Sequence, residues 1–329
     1  MSSSSLDSRI KAHIARRSGE LTRILIDHAW EYGLSVQDLP CKATLVNAGF
    51  GVSGSFEAGR LLIEICHGGL ARASLGLTDL GGFSLPQIVV ESLHPLLSAY
   101  GLQASYPLSE DEPGIRVSGP IRLYMEADLP AKDAIGIAVI ESDCLPSDAV
   151  ALHLAEKSGI PPQMLTLIAA PIASVVGATQ IAGRVNESVI FTMKESLNVD
   201  PHIVKHIIGR APVCPVSKDS SSTEKRPYPD DFIHYVGSAL LTVDDFPDDD
   251  LGELAQQLAF ESASIYGRLF YDVLREAGGI FEKIPNLNDI NKPAQITINH
   301  LSSGRVSHAG KVEAERLVDL LEGRDCDAS

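Results

Sequence analysis

The sharpest chemical feature of the sequence is the pentapeptide Gly183-Arg184-Val185-Asn186-Glu187. Arg184 and Glu187 are three positions apart, so on a helix they share one face. One interpretation is an ordinary intrahelical ion pair that stabilises the helix by roughly 0.2–0.5 kcal/mol. The other is a pair of charges held at a functional site, because the preceding segment 158–183 carries no formal charge. The residues alone leave these two interpretations balanced.

A second feature is the loop GFGVSG, at 49–54, which matches the GxGxxG fingerprint between a predicted strand and a predicted helix. That fingerprint requires an acidic residue about 20 positions later, at the end of the next strand. The residues around position 70 are LARASLGL, and the first acid beyond them is Asp79. A nicotinamide-dependent oxidoreductase is therefore disfavoured. A loop that faces some ligand stays open, since glycines let a ligand approach backbone N–H groups at a helix start.

Two further patterns could hold a metal ion. His202 and His206 are four positions apart and would share a face if the segment were helical, but no third ligand lies nearby. We interpret them as surface histidines. The acidic segment DDFPDDD, at 244–250, lacks the alternation and the glycine of a calcium loop, which favours a solvated turn. We expect no metal site.

Composition narrows the class of protein. The 329 residues are 44% hydrophobic and 21% charged, which fits one large domain or two smaller ones and excludes disordered and fibrous proteins. The 27 basic and 43 acidic residues give a net charge of −16, which argues against binding nucleic acid or an anionic membrane. Five cysteines without a CxxC pair argue against a disulfide scaffold and favour the cytoplasm.

The uncharged segment 158–183 could be mistaken for a membrane span. Pro161, Pro162 and Pro171 interrupt it, so we expect a buried strand followed by a helix. The first residues lack the apolar core of a signal peptide. We therefore expect a protein that does not enter a membrane.

Hydrophobic periodicity predicts strands that alternate irregularly with helices, which indicates a layered α/β or α+β architecture. Predicted strands include ATLVNA, AIGIAVIES, QMLTLIAA and AQITINHL. Predicted helices include FEAGRLLIEIC, PQIVVESLHPLLSAYG, SDAVALHLAEKSG and one long helix that runs from the Pro171 turn to about Leu197.

The segment AAPIASVVGATQIAGRVNESVIFTM resembles, almost position for position, the signature APTASxVGxxQIxGRxxExAxFKM of methenyltetrahydromethanopterin cyclohydrolases. The segment NAGFGVSGSFEAGRLLIEICHGGL is similar to the block DCGxxxxGSxxAGxxxxxxCxGGL of that family, which accounts for the GxGxxG match. Further similar blocks follow in family order, at 118–122 (SGPIR), GRAPVCPV, HYVGSALLTV, SASIYGRLFYDVL and KPAQITINHLSSG. Together they cover most of residues 44–310.

The resemblance implies a reversible reaction in which water opens the 5,10-methenyl cation of tetrahydromethanopterin to the 5-formyl derivative, without a metal ion or a prosthetic group. It implies Glu187 as the catalytic carboxylate and Arg184 as the residue that orients it and the pterin. The pocket-lining residues that it suggests are Gly54, Ser55, Ser118, Gly119, Arg122, Gln180 and Tyr266.

The resemblance also implies two α/β lobes with the substrate in a cleft between them, and a homotrimer. The lobe boundaries that we expect are an N-terminal tail and helix over 1–40, a first lobe over 41–175 and a second over 176–325. The lobes could exchange segments.

Some positions depart from the family pattern. Ile172 stands where the family has threonine, and Val117 where it has glycine. The block resembling CLxSQxAGW keeps Ser98 and Tyr100 but loses the glutamine and the tryptophan, and the DPxLF element is reduced to Pro285-Asn286-Leu287. The alternative hypothesis is therefore a paralogue that binds a pterin without catalysis, or that acts on a different pterin.

Overall fold

The structure is a computed structural model that describes residues 8–109, 114–125, 136–217 and 227–323. Its strands are β1 (Ser35–Asp38), β2 (Thr44–Asn47), β3 (Ala71–Leu80), β4 (Phe83–Leu93), β5 (Tyr106–Pro107), β6 (Arg116–Ser118), β7 (Gly136–Glu141), β8 (Leu165–Ala170), β9 (Val204–Pro212), β10 (Ser238–Val243), β11 (Gln295–His300) and β12 (Val306–Gly310). Its α-helices are α1 (Ser8–Asp27), α2 (Phe56–Cys66), α3 (Arg122–Met125), α4 (Asp148–Ser158), α5 (Val175–Ala182), α6 (Val185–Phe191), α7 (Pro229–Val236), α8 (Leu251–Leu258), α9 (Phe270–Glu276) and α10 (Ala314–Leu321).

The chain divides into two compact units, each built from two stretches of sequence. The first unit comprises Met1–Arg72 and Gly101–Gln180, and the second comprises Ala73–Tyr100 and Ile181–Ser329. Within the described ranges, each unit contains one six-stranded sheet. The α/β class expected from the sequence is confirmed, while the expected boundaries at 40 and 175 and the cleft remain predictions.

The sheet of the first unit has the strand order β1-β2-β8-β7-β6-β5. Strands β2, β8 and β7 run parallel in its centre, and the outer strands pair antiparallel. Alternate residues of the central strands point into two different apolar clusters: Val139 and Ile168 belong to one, and Ala138 and Leu167 to the other. A sheet buried on both faces needs nearly continuous apolar strands, as predicted for AIGIAVIES and QMLTLIAA.

Two helices of this unit show why local sequence sets their ends. Ser55 precedes α2, and its side-chain oxygen accepts a hydrogen bond from the backbone N–H of Ala58 at 3.1 Å. Gly159 ends α4 in the left-handed region, with φ of 68°. An N-terminal serine and a C-terminal glycine are common helix caps, and both helices were predicted.

The sheet of the second unit has the strand order β12-β11-β10-β9-β4-β3, in which β10 and β11 are parallel. The predicted helix PQIVVESLHPLLSAYG is wrong in its first half, because Phe83–Leu93 is strand β4. Val90 and Ser92 are buried while Glu91 and Leu93 are exposed, which is the two-residue period of a strand. Only Leu96–Gln103 is helical, as a π-helical stretch.

The histidine pair does not lie on a helix. His202 lies in a 3-10 turn and His206 in β9, and both are exposed, as expected of surface histidines. Among the described residues no group of three or more His, Cys, Asp or Glu side chains could hold a metal ion. Nor does any helix in the described ranges combine the length and apolar character needed to cross a membrane.

The acidic segment 244–250 is a solvent-exposed turn that side-chain contacts also anchor. Asp244 accepts a hydrogen bond from Ser302, Asp248 accepts one from Ser303, and Asp249 pairs with Arg305 at 3.1 Å. The expected solvated turn is confirmed, since Asp245 and Asp249 are 82% and 94% exposed, and its carboxylates also tie it to the loop that follows β11.

Helix α7 buries two titratable groups whose pKa values shift in opposite directions. Burial raises the pKa of Asp231 to about 7, although the backbone N–H groups of Tyr228 and Phe270 donate to its carboxylate. Burial lowers the pKa of His234 to about 4, in a site where its ring stacks on Phe260.

These shifts predict opposing pH dependences of stability. As pH falls from 6.5 to about 4, the unfolded chain protonates His234 and the folded chain does not, which favours unfolding. As pH falls from about 7 to 3.8, the folded chain protonates Asp231 and the unfolded chain does not, which favours folding. The two contributions oppose each other in the wild type.

We therefore expect the free energy of unfolding of each single variant to show the pH dependence of the one remaining group. Relative to wild type, Asp231→Asn loses free energy of unfolding as pH falls from 6.5 to 4, and His234→Gln gains it. The difference in slope approaches about 1.4 kcal/mol per pH unit. Urea unfolding at pH 7.5, 6 and 5 measures it, and slopes equal to wild type would contradict the assigned protonation states.

Candidate active site

The Arg184–Glu187 pair lies where two short helices meet in sequence. The predicted continuous helix to Leu197 is wrong, because α5 ends at Ala182 and α6 begins at Val185. Arg184 is the N-cap residue of α6, and its Nε donates to Glu187 Oε2 at 3.1 Å. The side chains are only 13% and 12% exposed. A pair so far removed from water interacts more strongly than a solvent-exposed helical pair.

Helix α6 is fixed by its contacts with the sheet of the second unit. The buried side-chain amide of Asn186 donates to the backbone oxygen of Val90 at 3.0 Å and to Ser92 Oγ at 2.9 Å. Gly209 of β9 leaves no room between strand and helix, because an added Cβ would lie 2.4 Å from Asn186 Oδ1. The backbone that carries Glu187 therefore rests directly on two strands.

The side chain of Glu187 is less deeply buried than its neighbours on α6. Its neighbours Asn186 and Ser188 are buried, whereas Glu187 keeps part of its surface accessible. A carboxylate that is partly desolvated, oriented by a guanidinium and still reachable can accept a proton or face a cation.

In the first unit, the glycine-rich loop uses its backbone N–H groups internally. Asn47 Oδ1 accepts from the N–H groups of Gly49 at 3.2 Å and Phe50 at 2.8 Å, and Asn47 Nδ2 donates to the Phe50 oxygen. Those two donors are not available to a phosphate, which is a physical reason against a dinucleotide site.

The glycines of this loop serve close packing against the start of α5. A Cβ at Gly49 would lie 2.5 Å from the Ser174 Cβ, and one at Gly54 would lie 2.8 Å from Val176 Cγ2. Gly54 also has φ of +63°, which favours glycine. The predicted pocket residues Gly54 and Ser55 thus have structural tasks in the described contacts, as a packing residue and a helix cap.

Two other predicted residues of the first unit, Gln180 and Ser118, lie around Cys66, at the opposite end of α2. Gln180 Nε2 lies 3.7 Å from Cys66 Sγ, which lies 3.7 Å from Ser118 Oγ, and all three residues are buried. Gln180 and Ser118 were predicted, and Cys66 was missed. The signal was present, since Cys66 occupies the cysteine position of the block CxGGL.

Gly119 and Arg122 continue from Ser118. Gly119 has φ of +94°, and its N–H donates to the Leu102 oxygen at 2.8 Å. Arg122 is buried, donates to the Ala104 oxygen at 2.8 Å, and stacks 4.2 Å from the centre of the Tyr106 ring. These contacts give Arg122 a role in holding its own unit together.

The predicted residues of the first unit therefore form two groups. Ser55 and Cys66 lie at opposite ends of α2, eleven positions apart, which is about 16 Å along a helix. Gly54 belongs with Ser55, and Gln180 and Ser118 belong with Cys66.

Tyr266, predicted to line the pocket, lies in the second unit. Its hydroxyl donates to Glu313 Oε2 at 3.0 Å, and its ring packs edge-on against Phe260 at 5.7 Å. The nearby segment is braced by Lys292, a buried lysine whose Nζ contacts Asp289 Oδ1 at 2.6 Å and Ser262 Oγ at 3.0 Å.

The family model described as cyclohydrolase (MCH) matches residues 13–320. The methenyltetrahydromethanopterin cyclohydrolase of Methanococcus maripaludis strain C7 is 35% identical over 309 residues, which cover 91% of this chain and 94% of the relative. This chain belongs to the cyclohydrolase family. The relatives of the same name from Methanothermobacter marburgensis and Methanocaldococcus jannaschii are 32% and 30% identical over 305 and 319 residues. The alignments cover 89% and 94% of this chain, and 94% and 98% of those relatives.

The departures from the family pattern have plain structural settings. Val117 is buried in β6, opposite Ile140 of β7. Ile172 is half-buried in the turn after β8, and Pro285 is exposed between two 3-10 turns. The residues that fix α6 are untouched by these departures.

The close contact at Gly209 yields a prediction about the support of the ion pair. Gly209→Ala forces α6 away from β9, so we expect the free energy of unfolding to fall by about 1–3 kcal/mol, as for an overpacked core. Gly76→Ala, in strand β3, is the matched control, because nothing lies within 4 Å of a Cβ there. Urea unfolding of both variants measures the difference, and equal stabilities would contradict the close contact.

Proposed function

We propose that this protein hydrolyses the 5,10-methenyl group of tetrahydromethanopterin, or of a closely related pterin carrier, to the 5-formyl derivative in one-carbon metabolism. The observation that carries the proposal is the partly buried Arg184–Glu187 pair, in a chain that belongs to the cyclohydrolase family. The relatives that share about a third of its residues carry this activity in their names.

The reaction requires little from the protein besides a correctly positioned carboxylate. The methenyl carbon is bonded to two nitrogens, carries positive charge and is already electrophilic. Glu187 takes a proton from a water molecule while the oxygen of that water forms a bond to the methenyl carbon. The tetrahedral adduct then collapses: the hydroxyl gives up its proton, the bond from carbon to N10 breaks, and N10 is protonated. One water is consumed and one proton is released.

Arg184 orients the Glu187 carboxylate through its Nε contact at 3.1 Å. The negative charge of Glu187 also favours a cationic substrate over a neutral one in a site that is largely removed from water. The reaction as proposed uses no metal ion and no prosthetic group.

Two other functions fit the structure less well. A nicotinamide-dependent oxidoreductase is disfavoured by the loop at 49–54, whose Gly49 and Phe50 N–H groups are taken by Asn47. A pterin-binding paralogue without activity is disfavoured by the intact Arg184–Glu187 pair.

A homotrimer and a cytoplasmic location belong to the same proposal. The homotrimer rests on the family resemblance alone, and light scattering in solution would test it. The location is supported by the thiols of Cys41, Cys66, Cys144 and Cys214, which are not in disulfides.

The experiment that tests the function is loss of the methenyl chromophore when purified protein is mixed with methenyltetrahydromethanopterin. Parallel arms use the tetrahydrofolate analogue and NAD. Turnover of the first substrate supports the proposal. Absence of turnover on both methenyl substrates would overturn it.

Glu187→Gln tests the role of the carboxylate. The amide keeps the shape but cannot accept a proton from water, so we expect kcat to fall about 10²–10⁴-fold. Glu91→Gln, at an exposed position of β4 in the same unit, is the control and should retain wild-type turnover. Undiminished kcat in Glu187→Gln would contradict the assignment.

A further inference from the structure

Helix α6 shows two accessible side chains along its length. Over positions 185–193 every residue is buried except Glu187 and Phe191, which are partly exposed. The two are four positions apart within one α-helix, so they lie on the same face about 5–6 Å from each other. An accessible aromatic ring thus lies one helical turn beyond the proposed catalytic carboxylate.

A second aromatic ring extends this face. The Tyr100 ring centre lies 6.0 Å from that of Phe191, with the planes inclined by 38°. That separation is within the range of favourable aromatic pairs. Tyr100 is partly exposed like Phe191, and it comes from the π-helical stretch Leu96–Gln103. Such stretches are frequent at functional sites.

The position of Tyr100 is fixed by the end of the same helix. Its hydroxyl donates to Glu195 Oε1 at 2.6 Å, and Lys194 Nζ lies 5.4 Å from its ring centre. Both partners belong to the π-helical turn Thr192–Ser196 that follows α6. A ring held in this way loses little freedom when a ligand binds, which favours affinity.

We propose that Phe191 and Tyr100 form an aromatic binding surface for the flat, conjugated ring of the substrate, with its cationic carbon directed toward Glu187. Aromatic faces carry partial negative charge and attract cations, so the Phe191 ring and the carboxylate favour the same ligand class, while Lys194 already lies over the Tyr100 ring, which contributes flat apolar area. The inference deepens the proposed function and rests on it for the identity of the ligand.

The test compares matched substitutions in the full-length protein. Phe191→Leu and Tyr100→Leu remove a ring, and Phe281→Leu removes a half-buried ring of the same unit that packs on Phe270. Tyr100→Phe keeps the ring and removes only the hydrogen bond to Glu195. KM and kcat are measured with methenyltetrahydromethanopterin, and its Kd by titration calorimetry, which does not depend on turnover.

We expect Phe191→Leu and Tyr100→Leu to raise Kd and KM about 3- to 10-fold, with kcat within about 2-fold of wild type. Phe281→Leu should bind as wild type does, and Tyr100→Phe, which keeps the ring but loses the Glu195 hydrogen bond, should raise Kd by less than Tyr100→Leu does. Unchanged Kd in both leucine variants, or an equal rise in Phe281→Leu, would overturn the aromatic surface. If Phe191→Leu does not fold, the contrast between Tyr100→Leu and Tyr100→Phe decides. A wild type that binds but does not turn over would contradict the proposed function and leave this comparison intact.

Discussion

The ion pair between Arg184 and Glu187 is the interaction on which this account depends. Both side chains are mostly withdrawn from water, yet the helix that carries them is only seven residues long. So short a helix has little stability of its own, so its position must come from packing. The buried amide of Asn186 and the absent side chain of Gly209 supply that packing. The sheet of the second unit therefore sets where the carboxylate lies.

The same logic explains why a dinucleotide fingerprint appears in a protein of another kind. The GxGxxG motif indicates that another group approaches the backbone closely, and in a nucleotide-binding protein that group is a phosphate. Here the partners of Gly49 and Gly54 are the side chains of Ser174 and Val176. Asn47 takes the N–H groups that a phosphate would need. In this chain the motif indicates tight packing, and the proposed catalytic pair is Arg184 and Glu187.

Periodicity and capping residues predicted the central strands of the first unit, helices α2 and α4, and the shared face of Arg184 and Glu187. Three features could not be predicted from periodicity or capping residues. Phe83–Leu93 reads as a helix or a strand until its pairing with β9 decides. The break at Gly183 and the contact of Asn186 with Val90 depend on a sheet formed by residues far away in sequence. The accessibility of Phe191 likewise could not be predicted, because it depends on which neighbouring residues the fold buries.

Most of the residues that give the net charge of −16 lie on the surface, including those of the anchored turn at 244–250. The proposed function requires the Glu187 carboxylate and the Arg184 guanidinium to act as a unit, which a double-mutant cycle tests most directly. Arg184→Gln, Glu187→Gln and the double variant are compared in kcat/KM for the methenyl substrate and in free energy of unfolding. Catalysis by a unit predicts strong non-additivity, with the double variant about as slow as Glu187→Gln alone. Wild-type kcat/KM in all three variants, with only stability reduced, would show an ordinary helical ion pair and contradict the account.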